Sequence, residues 1–247
     1  MRRGRCYPRH RAGRKHSGRK EAAMSKLRST LHEWFGTWIF RPLLKLMALV
    51  LFRPKRTFVS EKAKREAFKE PMIMISNHVH GMDGAIIQSL MPFSRVYSIT
   101  AKDLVERTRL YHWFLSHLRT IPVDRKNVSL SWLRESRKRL REGYHIYICP
   151  EGDVNRAKVI RPFKSGFVTL AASTGAKVVP IYVNGEYNYI FGKRFRYIVG
   201  EPVAMTPPPE GLSEQEMTRE ANMMHDIILD LEKQLNGFVR TDESINA

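Results

Sequence analysis

The stretch Asn77-His78-Val79-His80-Gly81-Met82-Asp83 follows directly on the apolar run Met72-Ile73-Met74-Ile75. Four consecutive large apolar residues ahead of a polar, glycine-containing turn read as a strand buried on both faces, the kind found in sheets covered by helices. Such a strand delivers His78 to its carboxyl end, and Asp83 then falls in the first turn of the next helix. Histidine titrates near neutrality, so a carboxylate that fixes its tautomer makes it a base toward a hydroxyl. Gly81 and Gly84 are expected to allow a tight turn and close backbone approach. Two other readings compete on this stretch. His78 and His80 can be ordinary loop histidines beside a capping Asp83, or His78, His80 and Asp83 can ligate zinc as in metal-dependent hydrolases. No further His, Cys and carboxylate cluster at ligand spacing follows downstream, which weighs against the metal.

Working outward, apolar segments at 56–59, 72–76, 96–100, 120–123, 144–149, 177–183 and 196–199 read as strands. Helical patterns cover 84–91, 104–117, 128–142, 164–173 and 213–235, with Gly143 and Gly175 at C-cap positions and Ser213 and Glu216 spaced as a capping box. Alternation of this kind predicts an α/β class: one domain with a mixed, largely parallel sheet covered by helices and functional residues at strand ends. The 43% hydrophobic content of the 247 residues is enough for a packed core.

A net charge of +19 implies an anionic partner: nucleic acid, an acidic membrane or a phosphorylated substrate. The basic residues Arg134, Arg137, Lys138, Arg139 and Arg141 form a solvated helix face, and no nucleic-acid-binding signature accompanies them, so no nucleic acid is expected. Cys6 and Cys149, the two cysteines, are far apart, which fits a reducing compartment rather than a disulfide scaffold.

Residues 1–23 hold nine Lys or Arg against the single acid Glu21 and read as a basic disordered arm, with Met24 as an alternative start. Residues 24–56 contain Trp34, Trp38 and a run of large aliphatics interrupted by Arg41, Pro42 and Lys45. This is short and broken for a spanning helix, and suits an amphipathic segment at a membrane surface. The tryptophans would sit at headgroup level, and Arg41, Lys45, Arg53, Lys55 and Arg56 would meet anionic lipid. Residues 57–247 form the remaining domain.

Further motifs follow in order: Ile121-Pro122-Val123-Asp124-Arg125, then Cys149-Pro150-Glu151-Gly152, then Val178-Val179-Pro180-Ile181. With Asn77-His78-x4-Asp83, this series resembles the glycerophospholipid acyltransferase family. The resemblance covers most of residues 57–205 and implies transfer of a fatty acyl group from acyl-CoA or acyl-carrier protein to a hydroxyl of lysophosphatidic acid. Glycerol 3-phosphate or another lysolipid is the alternative acceptor. It implies His78 and Asp83 as catalytic residues, and Asn77, Arg125, Glu151, Gly152 and Arg156 at the substrate. No metal or cofactor is called for, and a location at the cytoplasmic face of a membrane is expected.

The third motif departs from the family. Where the family continues Thr-Arg-Ser after Glu-Gly, this chain has Asp153-Val154-Asn155, which removes the usual arginine. The alignment onward through Pro162-Phe163-Lys164 needs no gap, so Arg156 and Lys158 are candidates to replace that charge, and Arg125 is a bidentate phosphate candidate. A loop salt bridge is the plainer role for Arg125, and a loop brace for Glu151. Cys149 replaces an aromatic residue and reads as packing.

Overall fold

The computed structural model describes residues 13–91, 95–124, 130–155, 157, 159–187, 190–205 and 213–245, with side chains between 24 and 237. The apolar runs pair into one seven-stranded sheet of β1 (Lys55–Phe58), β2 (Ile73–Ser76), β3 (Val96–Ala101), β4 (Thr120–Val123), β5 (His145–Ile148), β6 (Val178–Val183) and β7 (Arg196–Val199). Their order across the sheet is β1-β7-β6-β2-β5-β3-β4. From β6 to β4 all neighbours are parallel, whereas β7 runs antiparallel to β6 and carries β1 parallel beside it. β1 and β7 therefore start at the edge where the other five strands end.

β2 sits at the centre with all four residues buried. Alternation sends Ile73 and Ile75 to one face and Met72 and Met74 to the other. The first face packs with Ile146, Ile148 and Val178 against Phe167 and Leu170 of α8 (Gly166–Thr174) and Met224, Leu231 and Leu235 of α9 (Glu214–Ile245). The second joins Tyr147, Val179, Ile181 and Tyr197 to Ile86 and Ile87 of α4 (Asp83–Leu90). Both faces of the sheet are thus covered, as its unbroken apolar runs require.

At the amino end, α1 (Gly13–Phe35) passes through a π-helical turn at Gly36–Phe40 into α2 (Arg41–Phe52). The amide of Arg41 donates five residues back to Gly36 O, a widened turn that makes room for the Pro42 ring, which cannot donate to the preceding turn. α1 begins inside the stretch expected to be disordered, where Lys15, Lys20 and Ala22 are good helix formers. Met24–Phe52 is, by length and composition only, a helix apolar enough to cross a membrane.

Leu44 packs with Ala85, Leu115 and Leu118, and Ala48 is buried, while Trp34, Trp38, Leu43, Leu46, Met47, Leu49 and Val50 are exposed. Arg41 corrects one expectation: instead of facing lipid it is 3% exposed, giving Nε to His117 O at 2.9 Å and Nη1 to Thr37 Oγ1 at 2.8 Å, with Glu33 at 3.5 Å. A buried guanidinium holds its place because each side meets an acceptor.

The other helices are α3 (Glu61–Glu66), α5 (Lys102–Val105), α6 (Arg109–His117) and α7 (Ser131–Arg141). The helix expected over 104–117 is broken because Thr108 turns extended and caps α6, accepting from Tyr111 N. The capping box forms as read: Ser213 N donates to Glu216 Oε2 at 2.8 Å and Glu216 N to Ser213 Oγ at 3.2 Å. Gly143 and Gly175 take the left-handed conformation after α7 and α8.

Candidate active site

β2 ends at Ser76 and the chain leaves the sheet edge between β5 and β6. Asn77 is fixed at once: its Nδ2 donates to Val183 O at 2.9 Å and its Oδ1 accepts from Val183 N at 2.8 Å. The amide thereby locks the exit of β2 to the last residue of β6. His78 comes next, with its own amide donating to Glu151 Oε1 at 2.7 Å and its carbonyl accepting from Asn155 N at 2.7 Å. The first and third motifs are joined through these main-chain groups.

The imidazole Nδ1 of His78 lies 3.0 Å from Asp83 Oδ2. Asp83 is fully buried in the first turn of α4, and the same Oδ2 accepts from Val79 N at 2.8 Å and His80 N at 2.9 Å. Asp83 Oδ1 accepts a hydrogen bond from the Tyr187 hydroxyl. The carboxylate thus has main-chain and phenolic donors around it, and the Nδ1 contact leaves Nε2 of His78, which is 17% exposed, for a reactant.

Burial opposes charge on His78, but the neighbouring Cys149 sulfur and the hydrogen bond and charge of Asp83 outweigh it and raise its pKa well above the ordinary imidazole range. A close buried carboxylate is sufficient for that direction. Burial, then the Asp83 carboxylate, push the Tyr187 phenol well up, so Tyr187 keeps its proton and acts as the donor.

Glu151 is buried at the end of β5, and Oε2 accepts from Arg161 N at 3.2 Å and Asn155 Nδ2 at 3.5 Å. Both oxygens therefore hold loop groups. Gly152 has φ +79°, and a Cβ there would fall 2.7 Å from Lys164 Nζ, which places an exposed ammonium against the Glu-Gly turn. Arg125 and Arg156, the expected phosphate ligands, lie outside the described residues, as does Lys158.

His80 turns Nδ1 to the Met82 amide at 3.2 Å and lays its ring on Tyr187 at 4.6 Å, away from a shared focus with His78 and Asp83. Among the described residues no group of three or more His, Cys, Asp and Glu side chains has metal-holding geometry. Gly81 lies in the tight turn expected there, with Asp83 N donating to His80 O at 3.0 Å, though neither Gly81 nor Gly84 has positive φ; the left-handed glycines near the site are Gly152 and Gly185. Cys149 is half-buried, with Sγ 3.4 Å from Tyr147 Oη and 3.8 Å from Ser76 Oγ. Tyr187 was not a sequence candidate; it lies past the fourth motif, and no spacing rule links it to Asp83.

The family profile described as Acyltransferase matches residues 55–184, more than half of the chain. The chain belongs to the acyltransferase family. Its match starts with β1, two residues before the boundary read from sequence, and ends just after β6.

This acyltransferase-family chain is 27% identical over 117 residues to a chloroplastic 1-acyl-sn-glycerol-3-phosphate acyltransferase of Brassica napus, covering 47% of the chain and 33% of the relative. It is 30% identical over 123 residues to the 1-acyl-sn-glycerol-3-phosphate acyltransferase of Borreliella burgdorferi, covering 49% of the chain and 48% of the relative. The chain thus spans a third to a half of the length of these two relatives. The crystal structure of PlsC, the 1-acyl-sn-glycerophosphate acyltransferase of Thermotoga maritima, shares the fold with a TM-score of 0.57 at 18% identity, over 83% of both chains.

Proposed function

We propose that the protein transfers a fatty acyl group from a thioester donor, acyl-CoA or acyl-carrier protein, to the free hydroxyl of lysophosphatidic acid. The observation that carries this reading is the His78–Asp83 pair at the carboxyl end of β2, with Nδ1 held at 3.0 Å so that Nε2 is the ring nitrogen left for the acceptor hydroxyl. His78 Nε2 takes the proton of the acceptor hydroxyl as its oxygen attacks the thioester carbonyl, and Asp83 stabilises the imidazolium. The tetrahedral intermediate then collapses, expelling the donor thiolate, which receives the proton from His78. No side-chain nucleophile and no cofactor enter the scheme.

Asn77 and Glu151 hold the base in register rather than meeting substrate through their bonded atoms. Arg125 and Arg156 are the proposed phosphate ligands, and Lys164 beside Gly152 adds a cation from the third-motif loop. The exposed apolar side of Met24–Phe52 seats the protein on an anionic membrane at its cytoplasmic face, where the acceptor resides.

The test is acyl transfer by purified protein from acyl-CoA and from acyl-carrier protein to a panel of lysophospholipids and glycerol 3-phosphate. Formation of phosphatidic acid from lysophosphatidic acid is expected. Preference for glycerol 3-phosphate or for an uncharged lysolipid would replace the acceptor, and transfer to none of them would end the reading.

A further inference from the structure

We propose that Tyr187 is the positioning residue of the His78–Asp83 pair and that, through Phe52, it ties this pair to the apolar amino-terminal helix. The inference rests on the acyl-transfer reading for its kinetic consequences, while its geometry is independent of that reading.

Asp83 Oδ2 is already committed to Val79 N, His80 N and His78 Nδ1, so Oδ1 governs how the carboxylate can rotate. Tyr187 donates to that oxygen. A carboxylate held on both oxygens presents a fixed lone pair to the imidazole, as outer hydrogen bonds do for ligands at other sites. The charged and titratable groups around this contact are His78, His80, Tyr147 and Cys149.

The loop that carries Tyr187 is held at several points. Gly185 has φ +66°, and a Cβ there would strike Val79 Cγ1 at 2.5 Å, so the loop lies directly on the His78 turn only because this residue lacks a side chain. The Tyr187 ring meets Phe195 at 5.4 Å, His80 at 4.6 Å and, edge-on, Phe52 at 5.7 Å. Phe52 is the last residue of α2.

The end of α2 is sewn to the same loop. Phe52 O accepts from Phe195 N at 3.1 Å, Lys55 N donates to Phe195 O at 2.9 Å, and Arg53 O accepts from Arg194 Nε at 2.9 Å. Arg53 also donates to Gly192 O. The helix arrives here because β1 begins at the edge where the parallel strands end. A displacement of α2 is thus transmitted through one aromatic contact to the residue that holds Asp83.

The experiment compares wild type, Tyr187→Phe and Phe52→Leu, the first removing one hydroxyl while keeping the ring contacts. Two readouts are taken: steady-state transfer from acyl-CoA to lysophosphatidic acid across pH, and the His78 titration followed by NMR with labelled histidine, which needs no substrate. Without the Tyr187 donor, Asp83 becomes a stronger acceptor for the imidazolium, so the His78 midpoint and the rising limb of kcat move to higher pH. Below that limb kcat falls by about ten- to a hundredfold, as expected for losing a hydrogen bond to a charged group, with KM for both substrates nearly unchanged. In a His78→Ala background Tyr187→Phe adds no further loss.

Phe52→Leu shifts the midpoint in the same direction by less, and its kcat deficit is larger on vesicles than on micelle-dispersed acceptor. An unmoved His78 midpoint in Tyr187→Phe overturns the positioning role, as does a loss confined to KM. An unmoved midpoint in Phe52→Leu removes the link to the helix. If wild type transfers nothing while the midpoint still moves, the functional reading fails and the positioning role stands.

Discussion

The amide of His78 donates to Glu151 Oε1 at 2.7 Å, which binds the turn after β2 to the turn after β5. Glu151 Oε2 meanwhile accepts from Arg161 N and Asn155 Nδ2. Glu151→Ala is expected to destabilise the fold by about 1–3 kcal/mol, because it leaves buried donors without acceptors, and to lower kcat through misplacement of His78. Glu151→Gln keeps one carbonyl acceptor and should fall between the two. Urea denaturation with steady-state kinetics checks both; an Ala variant with wild-type stability contradicts the role.

Removal of the proposed base, His78, is the more direct intervention. His78→Ala is expected to cut acyl transfer by about a hundredfold or more and to lower stability near neutral pH, since the buried Asp83 carboxylate loses its imidazolium partner, while the protein still folds because the side chain is partly exposed and its loss opens no core. Asp83→Asn should lose activity and also stability, because the buried carboxylate serves three nitrogen donors and one hydroxyl. Comparable transfer by purified His78→Ala protein would exclude general-base catalysis by this residue.

The raised pKa of His78 has a definite sign in stability as well as in rate. A histidine whose folded pKa exceeds its unfolded value stabilises the fold fully below the unfolded value, here 6.5, and loses that contribution as pH rises through the folded value. The stability gap between wild type and His78→Gln should therefore be widest at pH 6 and shrink toward pH 10. Transfer activity should run the opposite way, climbing above pH 7 as neutral imidazole accumulates.

His145 titrates in the other direction. Burial, then the nearby Arg95 charge, lower its pKa to about 4, and its Nδ1 accepts from Met72 N at 3.2 Å. Below the unfolded value of 6.5 the unfolded chain binds the proton that the folded one refuses, so stability falls from pH 6.5 toward 4 by about 3 kcal/mol at most. A non-titrating His145→Asn variant should be less stable than wild type at pH 7 and approach it by pH 4. Denaturant midpoints across that range decide it.

Membrane seating is tested best without deletion, because a cut through residue 56 would remove the start of β1 and with it a sheet edge. Trp34, Trp38 and Leu46 are more than half exposed. Replacing all three with Asp should abolish sedimentation with anionic vesicles while leaving the melting temperature of the detergent-free protein within a few degrees. High salt on wild type should weaken binding only in part, since apolar burial is not screened.

Much of this architecture was legible because the signals are local. Met72-Ile73-Met74-Ile75 and Val178-Val179-Pro180-Ile181 are short apolar runs with nowhere to go but between helices, and strand limits there differ from the structure by a residue or two. The spacing of His78 and Asp83 is also local, one turn of chain. Tyr187 and Arg41 were not legible for the opposite reason. The first finds Asp83 across 104 residues and the second finds His117 across 76, so no periodicity encodes either contact. The break before α6 was missed because Thr108 reads equally well as helix or cap, and only its extended backbone separates the two.

The sewing of Arg53 to Arg194, 141 residues apart, also fixes a sequence of events during synthesis. At about 5–20 residues per second, a ribosome needs roughly 7–30 s after making α2 before the strand that will hold it exists. For that interval the apolar helix has no β7 and no loop to dock on; α4 and α6 can cover Leu44, but the side that carries Leu43, Leu46 and Leu49 stays exposed and is open to lipid. Nascent chains arrested before residue 190 are therefore expected to sediment with membranes already. On the proposed membrane seating, delivery to the bilayer precedes closure of the domain, so the His78 edge of the sheet is assembled in place rather than carried there.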